Sequence, residues 1–315
     1  MAEKRRPVIL DCDPGIDDAV ALLLAAHAPE LELLAVTAVA GNVGLDKTSR
    51  NARRVLTLAG TEVPVHAGAA GPMFGEVVTA DEVHGADGLL GVPTPEPAFP
   101  LSEGAAWDVM WEMALAHSGE LEIVATGPLT NLGIALTKYP DLPEHVKRIV
   151  LMGGATDFGN TTPAAEYNIY ADPEAADLVF RSGIPIVMCG LDVTHKAYFT
   201  QEEIDRLEAL GTPQAVFAAK TMGFGVEWHQ KFLVPGAPMH DPCAMMYALE
   251  PELFTGVRCW VGVECQGRHT RGRTVTDAYS DAKSPHGPNV ELITGVDRDR
   301  FVDHLTARLA AYGTP

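Results

Sequence analysis

Pro7-Val8-Ile9-Leu10-Asp11-Cys12-Asp13-Pro14-Gly15-Ile16-Asp17-Asp18-Ala19 decides how the rest of the chain is read. The apolar run predicts a short buried strand over residues 7–10 that ends at Asp11-Cys12-Asp13. Pro14-Gly15 permits a sharp turn out of it. Residues 17–27 read as a helix, with Asp17 and Asp18 in a first turn where the helix dipole favours negative charge. The alternation then repeats. Strands are expected over 31–39, 121–125, 146–152 and 184–188, and helices over 46–59, 105–118, 131–139 and 172–182. Buried strands separated by helices predict an α/β fold: a mainly parallel, open, Rossmann-like central sheet with helices on both faces. Such sheets bind ligands beyond the carboxyl ends of their strands. Asp13, Asn42, Thr126 and Gly153 each follow a predicted strand, so four strand ends would converge on one rim.

Further along, 201–229 reads as helical, 257–265 and 289–294 as late strands, and 297–311 as a closing amphipathic helix. Residues 71–100 are rich in Gly, Pro and acidic side chains and lack a period. Long irregular segments in compact domains are often lids, so a loop over the site is expected there rather than a linker. With no other linker, the 315 residues are expected to form one domain, 1–315. The net charge of -19 disfavours binding to a phosphate backbone, so no nucleic-acid partner is expected. Lys4-Arg5-Arg6 precedes an apolar run too short for a signal peptide. No uncharged stretch approaches the roughly 18 residues of a membrane span. The five cysteines, Cys12, Cys189, Cys243, Cys259 and Cys265, are odd in number and form no CxxC pair. Neither a disulfide framework nor a thiolate zinc site is expected. These features predict a soluble, cytoplasmic protein with reduced thiols.

Asp11, Asp13, Asp17 and Asp18 place four carboxylates within eight residues. Any one of them could simply cap a helix or start a turn. Four together repel unless a positive charge sits among them, and a hard cation bound by oxygen is the natural answer. Met239-His240-Asp241-Pro242 is a second source of ligands. Its plain account is a turn before an apolar helix over 244–249, with Asp241 as the cap and His240 as a structural histidine.

The run from Asp11 to Ala19 closely resembles the N-terminal signature of the inosine–uridine nucleoside hydrolase family. Other segments resemble the family in the same order. They are Gly41-Asn42, His84-Gly85-Ala86-Asp87-Gly88-Leu89, Thr126-Gly127-Pro128-Leu129-Thr130-Asn131-Leu132, Met152-Gly153-Gly154, Glu166-Tyr167-Asn168, Asp172-Pro173-Glu174-Ala175, His240-Asp241-Pro242, Thr270-Arg271-Gly272 and Thr274-Val275-Thr276-Asp277. The resemblance covers about residues 7–310.

That resemblance implies a calcium-dependent hydrolase that cuts the N-glycosidic bond of ribonucleosides. Asp13, Asp18 and Asp241 would bind calcium by carboxylate and Thr126 by its backbone carbonyl. Asp13 would also take a proton from the attacking water. Asp17, Asn42 and Asn168 would hold the ribose 2′- and 3′-hydroxyls, and Asn160 and Glu166 the 5′-hydroxyl. Met152 would line the ribose floor, while His84 and His240 would face the base. A protonated His240 could donate to the leaving base. The resemblance also implies a homo-oligomer, a tetramer or a dimer.

The chemistry agrees with these roles. Calcium accepts 6–8 oxygen ligands of mixed kind, and the candidate ligands carry oxygen rather than sulfur. Attack of water on the anomeric carbon builds positive charge on the ribose ring, which nearby carboxylates stabilise, and direct attack inverts that centre. The base is less determined. In the family a histidine at the position of His240 marks the less purine-selective members, so inosine, uridine and cytidine all stand as substrates. Trp228, His229 and Gln230 belong to a segment expected near the base. Two rivals share part of the pattern. Phosphatases of the haloacid-dehalogenase type also carry a DxD pair after the first strand, with the first Asp as nucleophile. They would need a phosphate-gripping Lys or Arg, and the downstream segments do not fit. A catalytically dead, calcium-dependent nucleoside-binding protein would need the loss of a core carboxylate, and all are present.

Overall fold

The computed structural model describes residues 4–229, 234–277 and 286–313. Arg6–Cys12 forms strand β1, buried from Pro7 onward. Its neighbours are β2 (Leu31–Ala38) and β4 (Leu121–Ala125), both parallel to it. The sheet extends through β3 (Val65–Ala67) on one side. On the other lie β5 (Val146–Met152), β6 (Ile186–Cys189), β11 (Val290–Val296), β9 (Phe254–Val263) and β10 (Thr274–Asp277). The strand order is β10-β9-β11-β6-β5-β4-β1-β2-β3. From β11 to β3 every pairing is parallel, while β9 runs antiparallel to both β11 and β10. A two-stranded antiparallel ribbon, β7 (Tyr198–Phe199) with β8 (Ala237–Pro238), stands apart from it. The expected mainly parallel α/β sheet is the fold observed.

Apolar cores on the two faces of the sheet explain why the parallel strands are largely apolar rather than alternating. Val8, Leu10 and Cys12 of β1 join one core. It is completed by α1 (Ile16–Ala26), α2 (Leu45–Ala59), α9 (Gln201–Glu208), α10 (Pro213–His229), α11 (His240–Leu249) and α12 (Arg298–Ala310). Ile9 points to the opposite core, with α4 (Ala106–Ala116), α5 (Thr130–Lys138) and α7 (Pro173–Phe180). Three short helices, α3 (Asp81–His84), α6 (Tyr167–Ala171) and α8 (Leu191–Thr194), sit near the carboxyl ends of the strands. Local signals set several boundaries. Asp172 caps α7, its side chain accepting from the Ala175 N–H, with Pro173 at the first helical position. Thr200 and Glu203 form a capping box at α9. Gly60 ends α2 in the left-handed conformation, φ 71°.

The expected helix over 201–229 is two helices. Gly211 has φ 74°, and Pro213 opens α10, so the backbone turns between them. Strands β3 and β10 were not anticipated. Residues 71–100 are an ordered loop, as expected, tied down by backbone and side-chain bonds. Met73 N–H donates to Asp172 Oδ2 at 2.7 Å, Ala80 N–H to the Asn42 carbonyl at 3.0 Å, and Asn51 Nδ2 to the Asp87 carbonyl at 2.8 Å. All five cysteines are free thiols, four of them buried. Among the described residues no helix is long and apolar enough to cross a membrane.

Candidate active site

The turn after β1 carries Asp13 to the rim where β2, β4 and β5 also end. Asp13 is fully buried. Its Oδ2 accepts from the Asn42 backbone N–H at 2.7 Å, whereas Oδ1 is buried without a hydrogen-bond partner. The surroundings leave no room for a larger neighbour. A Cβ at Gly41 would collide with Asp13 Oδ2, and one at Gly127 would approach Oδ1 to 2.7 Å. Asp18, in the first turn of α1, accepts through Oδ1 from Thr126 Oγ1 at 2.9 Å and from the Asp13 N–H at 3.2 Å. Its Oδ2 accepts from Asn42 Nδ2 at 3.0 Å and from the Gly15 N–H at 3.1 Å. Asp241 arrives from the start of α11, which packs on α1, and is buried as well. Carboxylate oxygens of Asp17, Asp18 and Asp241 all lie within 4.8 Å of one another.

Such a cluster cannot carry its full charge unassisted. Burial, followed by the charge of Asp18, pushes the Asp13 carboxyl well above the usual range. Burial and then the charges of Asp17, Asp18 and Asp13 do the same to Asp241. Asp18 is raised by burial and then by Asp17. Among the described residues that line the adjoining cavity there is no Lys or Arg. An unpartnered buried carboxylate oxygen, converging carboxylates and no side-chain cation fit a hard divalent cation with oxygen ligands.

The remaining predicted residues surround that cluster. Asn168, in α6, donates through Nδ2 to the Thr126 carbonyl at 2.8 Å and to the Met152 carbonyl at 3.1 Å. Glu166 caps α6. Its Oε1 accepts from the Asn168 N–H, and its Oε2 from the N–H groups of Gly154 and Ile169, at 2.9–3.2 Å. Burial nevertheless raises its carboxyl to about 7. Asn160 Oδ1 accepts from the Tyr167 N–H at 2.9 Å. His84, at the end of α3, accepts through Nδ1 from the Ile16 N–H at the start of α1, 3.1 Å away. The first residue of α11, His240, has its Nδ1 2.8 Å from Thr194 Oγ1. Asp17, Asn42, His84, Thr126, Met152, Asn160, Glu166, Asn168, His240 and Asp241 all line one cavity of about 340 Å³. That is a size suited to a small organic ligand. Asp13 and Asp18 lie behind Asn42, bonded to it.

Asp11 belongs elsewhere, although its position in the sequence groups it with the others. Its Oδ1 accepts from Thr37 Oγ1 at 2.6 Å and Asn131 Nδ2 at 2.8 Å, tying β1 to β2 and α5. Fully buried there, its carboxyl is raised to about 7 by burial. A nucleophilic role for Asp11, as the phosphatase reading required, has no access to the cavity.

Several lining residues had no role assigned from sequence. Val78, Thr79, Glu82 and Val83 of the 71–100 loop close one side of the cavity. Tyr167 donates from its hydroxyl to the Val78 carbonyl at 2.9 Å, joining that loop to α6. Its place between Glu166 and Asn168 was the available signal. Thr221, Met222, Gly225 and Trp228 of α10 form another wall, with Trp228 stacked on Phe224 at 6.0 Å. Gln230 and Lys231 lie outside the described residues.

An acidic cavity at the carboxyl rim of a parallel sheet is where α/β enzymes bind small molecules. Residues 8–303 match the family model described as inosine-uridine preferring nucleoside hydrolase. The chain is 48% identical over 310 residues to the pyrimidine-specific ribonucleoside hydrolase RihA of Photobacterium profundum, covering 98% of this chain and 99% of that one. Among solved structures, a plant nucleoside hydrolase, PpNRh1, superposes with a TM-score of 0.92 at 34% identity, covering 98% of this chain and all of the other. A purine-preferring ribonucleoside hydrolase from Gardnerella vaginalis gives 0.90 at 33% identity, covering 98% and 99%. The chain belongs to the inosine–uridine preferring nucleoside hydrolase family. It is accordingly a ribonucleoside hydrolase, an N-glycosidase.

Proposed function

We propose that this hydrolase is calcium-dependent and cleaves pyrimidine ribonucleosides, uridine and cytidine, to ribose and free base. The observations that carry the cation are the buried, unpartnered Oδ1 of Asp13 and the converging carboxylates of Asp17, Asp18 and Asp241. Asp13, Asp18 and Asp241 with the Thr126 carbonyl would hold it. Calcium bound there would neutralise the carboxylates and acidify a nearby water.

The protein's own groups supply the rest. Asp13, with Oδ2 held by the Asn42 N–H, accepts the proton of the attacking water at Oδ1. Asp17, Asn42 and Asn168 hold the ribose diol, Asn160 and Glu166 the 5′-hydroxyl, and Met152 the floor of the sugar. As the C1′–N bond breaks, its electron pair leaves with the base, and the carboxylates stabilise the positive charge left on the ribose. Gripping every hydroxyl makes the ribose the handle. A 2′-deoxynucleoside leaves buried polar groups unpaired, and losses of that kind reach roughly 10⁴–10⁵-fold. His84 and His240 face the base.

Two observations support the pyrimidine preference: a histidine, His240, lining the cavity at the position that in the family marks less purine-selective members, and relatives at 48% identity that are named pyrimidine-specific. A reducing-sugar assay over uridine, cytidine, inosine and their 2′-deoxy forms tests it. Uridine and cytidine are expected to exceed inosine in kcat/KM, with the deoxy forms near background. Inosine turned over as well as uridine overturns the preference and leaves the hydrolase assignment standing.

The same reading extends to a single-domain subunit that works in the cytoplasm as a homo-oligomer, a dimer or tetramer of closed symmetry. Light scattering at micromolar concentration is expected to give a multiple of 33.6 kDa, and a monomer mass refutes it.

A further inference from the structure

We infer that Thr194 is the positioning residue that sets the orientation of the His240 imidazole and so governs departure of the base through it. This rests on the reading of His240 as donor to the leaving base. Thr194 is fully buried at the end of α8. Its hydroxyl is placed by backbone rather than by a flexible side chain. Leu191 N–H donates to the Gly154 carbonyl at 2.9 Å, and Thr194 N–H donates to the Gly190 carbonyl at 3.1 Å. Gly190 packs so closely on Gly154 that a Cβ there would approach the Gly154 carbonyl oxygen to 2.6 Å. The helix therefore hangs from the ends of β5 and β6, the same rim that presents Met152.

From that anchored position Thr194 Oγ1 lies 2.8 Å from His240 Nδ1. The ring of the next residue, His195, meets the His240 ring edge-on, with centroids 5.7 Å apart and planes at 64°. A bond at one ring atom and an edge against the ring together limit rotation about both side-chain torsions. A hydroxyl can donate or accept, so it serves either protonation state of Nδ1. Held at Nδ1, the imidazole presents Nε2 on its opposite side, and His240 lines the cavity. In the step this serves, the electron pair of the C1′–N bond goes to the base, which takes the proton from Nε2. The Nδ1 contact with Thr194 persists throughout. Without the hydroxyl the ring can turn, and a donor misplaced by about 1 Å can cost on the order of 10²-fold.

The test compares kcat/KM for Thr194→Val, Thr194→Ser, His240→Ala and the Thr194→Val/His240→Ala double variant, on uridine and on p-nitrophenyl riboside. The activated riboside needs little help at the leaving group. Thr194→Val is expected to lose about 10-fold or more on uridine and less than about 2-fold on the riboside. Thr194→Ser, which keeps the hydroxyl, should stay within about 2-fold of the parent on both, and the double variant should be no slower on uridine than His240→Ala alone. A near-normal rate on the riboside also shows that a variant is folded, and Thr194→Ala repeats the comparison if valine is not accommodated. Equal losses on both substrates, no loss on either, or a loss that adds in full to that of His240→Ala overturns the inference. Two failures are distinguishable. If His240→Ala keeps its selective loss while Thr194→Val shows none, only the role of Thr194 falls. If His240→Ala itself slows both substrates equally, the reading of His240 falls and Thr194 with it.

Discussion

Asp13→Ala is expected to be nearly inactive on every substrate, whereas His240→Ala is expected to be slow only where the base departs poorly. Removing a general base costs roughly 10²–10⁴-fold, and disturbing a cation site adds to that. Asp13 combines both liabilities. One oxygen is fixed by the Asn42 N–H at 2.7 Å, the other is buried without a partner, and Asp18, one of the proposed ligands, accepts from its backbone N–H. Gly41 and Gly127 pack directly on that side chain, where a Cβ would collide with Oδ2 or approach Oδ1 to 2.7 Å. With His240 proposed to face the base, its loss should matter for uridine and much less for p-nitrophenyl riboside. Steady-state kinetics on the two substrates give the crossed pattern directly. Substantial turnover by Asp13→Ala with calcium still bound would remove the general-base assignment. Equal losses for His240→Ala on both substrates would turn that residue into a support for Asp241.

Chelation should abolish turnover and lower the melting temperature, and the loss of stability should grow with pH. A ligand at about 100 times its Kd stabilises the folded state by about 2.7 kcal/mol, which several degrees of melting temperature would report. The sign of the pH effect follows from the raised carboxyls. Asp13, Asp18 and Asp241 all sit above their ordinary value of 3.8, first through burial and then through neighbouring carboxylates, Asp18 for Asp13 and Asp17 for the other two. In the cation-free protein their contribution is fully present below the ordinary carboxylate range and is lost as pH rises through the raised values. With a cation bound, the charged forms are neutralised and this loss is suppressed. Thermal melts with and without chelator across pH 4–8 should therefore diverge as pH rises. A verified metal-free preparation with full activity would sink the metal reading, and melting curves that stay parallel over that range would remove the electrostatic account of the cluster.

Much of this molecule was legible from local pattern. The strands at 121–125 and 146–152 occur with those limits, because buried parallel strands are written as largely apolar runs, here interrupted only by Glu122 and by Lys147-Arg148. Asp172 before Pro173 marked the start of α7 through cap chemistry that needs only a few neighbouring residues. The cluster of Asp13, Asp17 and Asp18 was readable too, since a crowd of carboxylates needs an answer whatever the fold, whereas the roles of Asn42, His84, Thr126, Met152, Asn160, Glu166 and Asn168 were named only through the family resemblance. The break at Gly211 and Pro213 was also written locally, but the helical character on both sides concealed it. Short edge strands such as β3 and β10 carry too little pattern to be seen alone.

Local pattern by itself determined the parallel α/β architecture, the carboxyl-end rim and the acidic character of the site, because strand burial, turn chemistry and like-charge repulsion act between neighbours in the chain. Which carboxylates share a space was decided only by the tertiary structure. Asp11 and Asp13 are two residues apart, yet Asp11 is bound to Thr37 and Asn131 beneath the rim while Asp13 lies with Asp18. Asp241 is more than two hundred residues away and reaches Asp17 and Asp18 because α11 packs on α1. Thr194 meets His240 for the same kind of reason, since α8 and α11 begin at one end of the sheet. Strand order and helix packing set those meetings, and they follow from the burial of the whole core rather than from any single stretch of the chain.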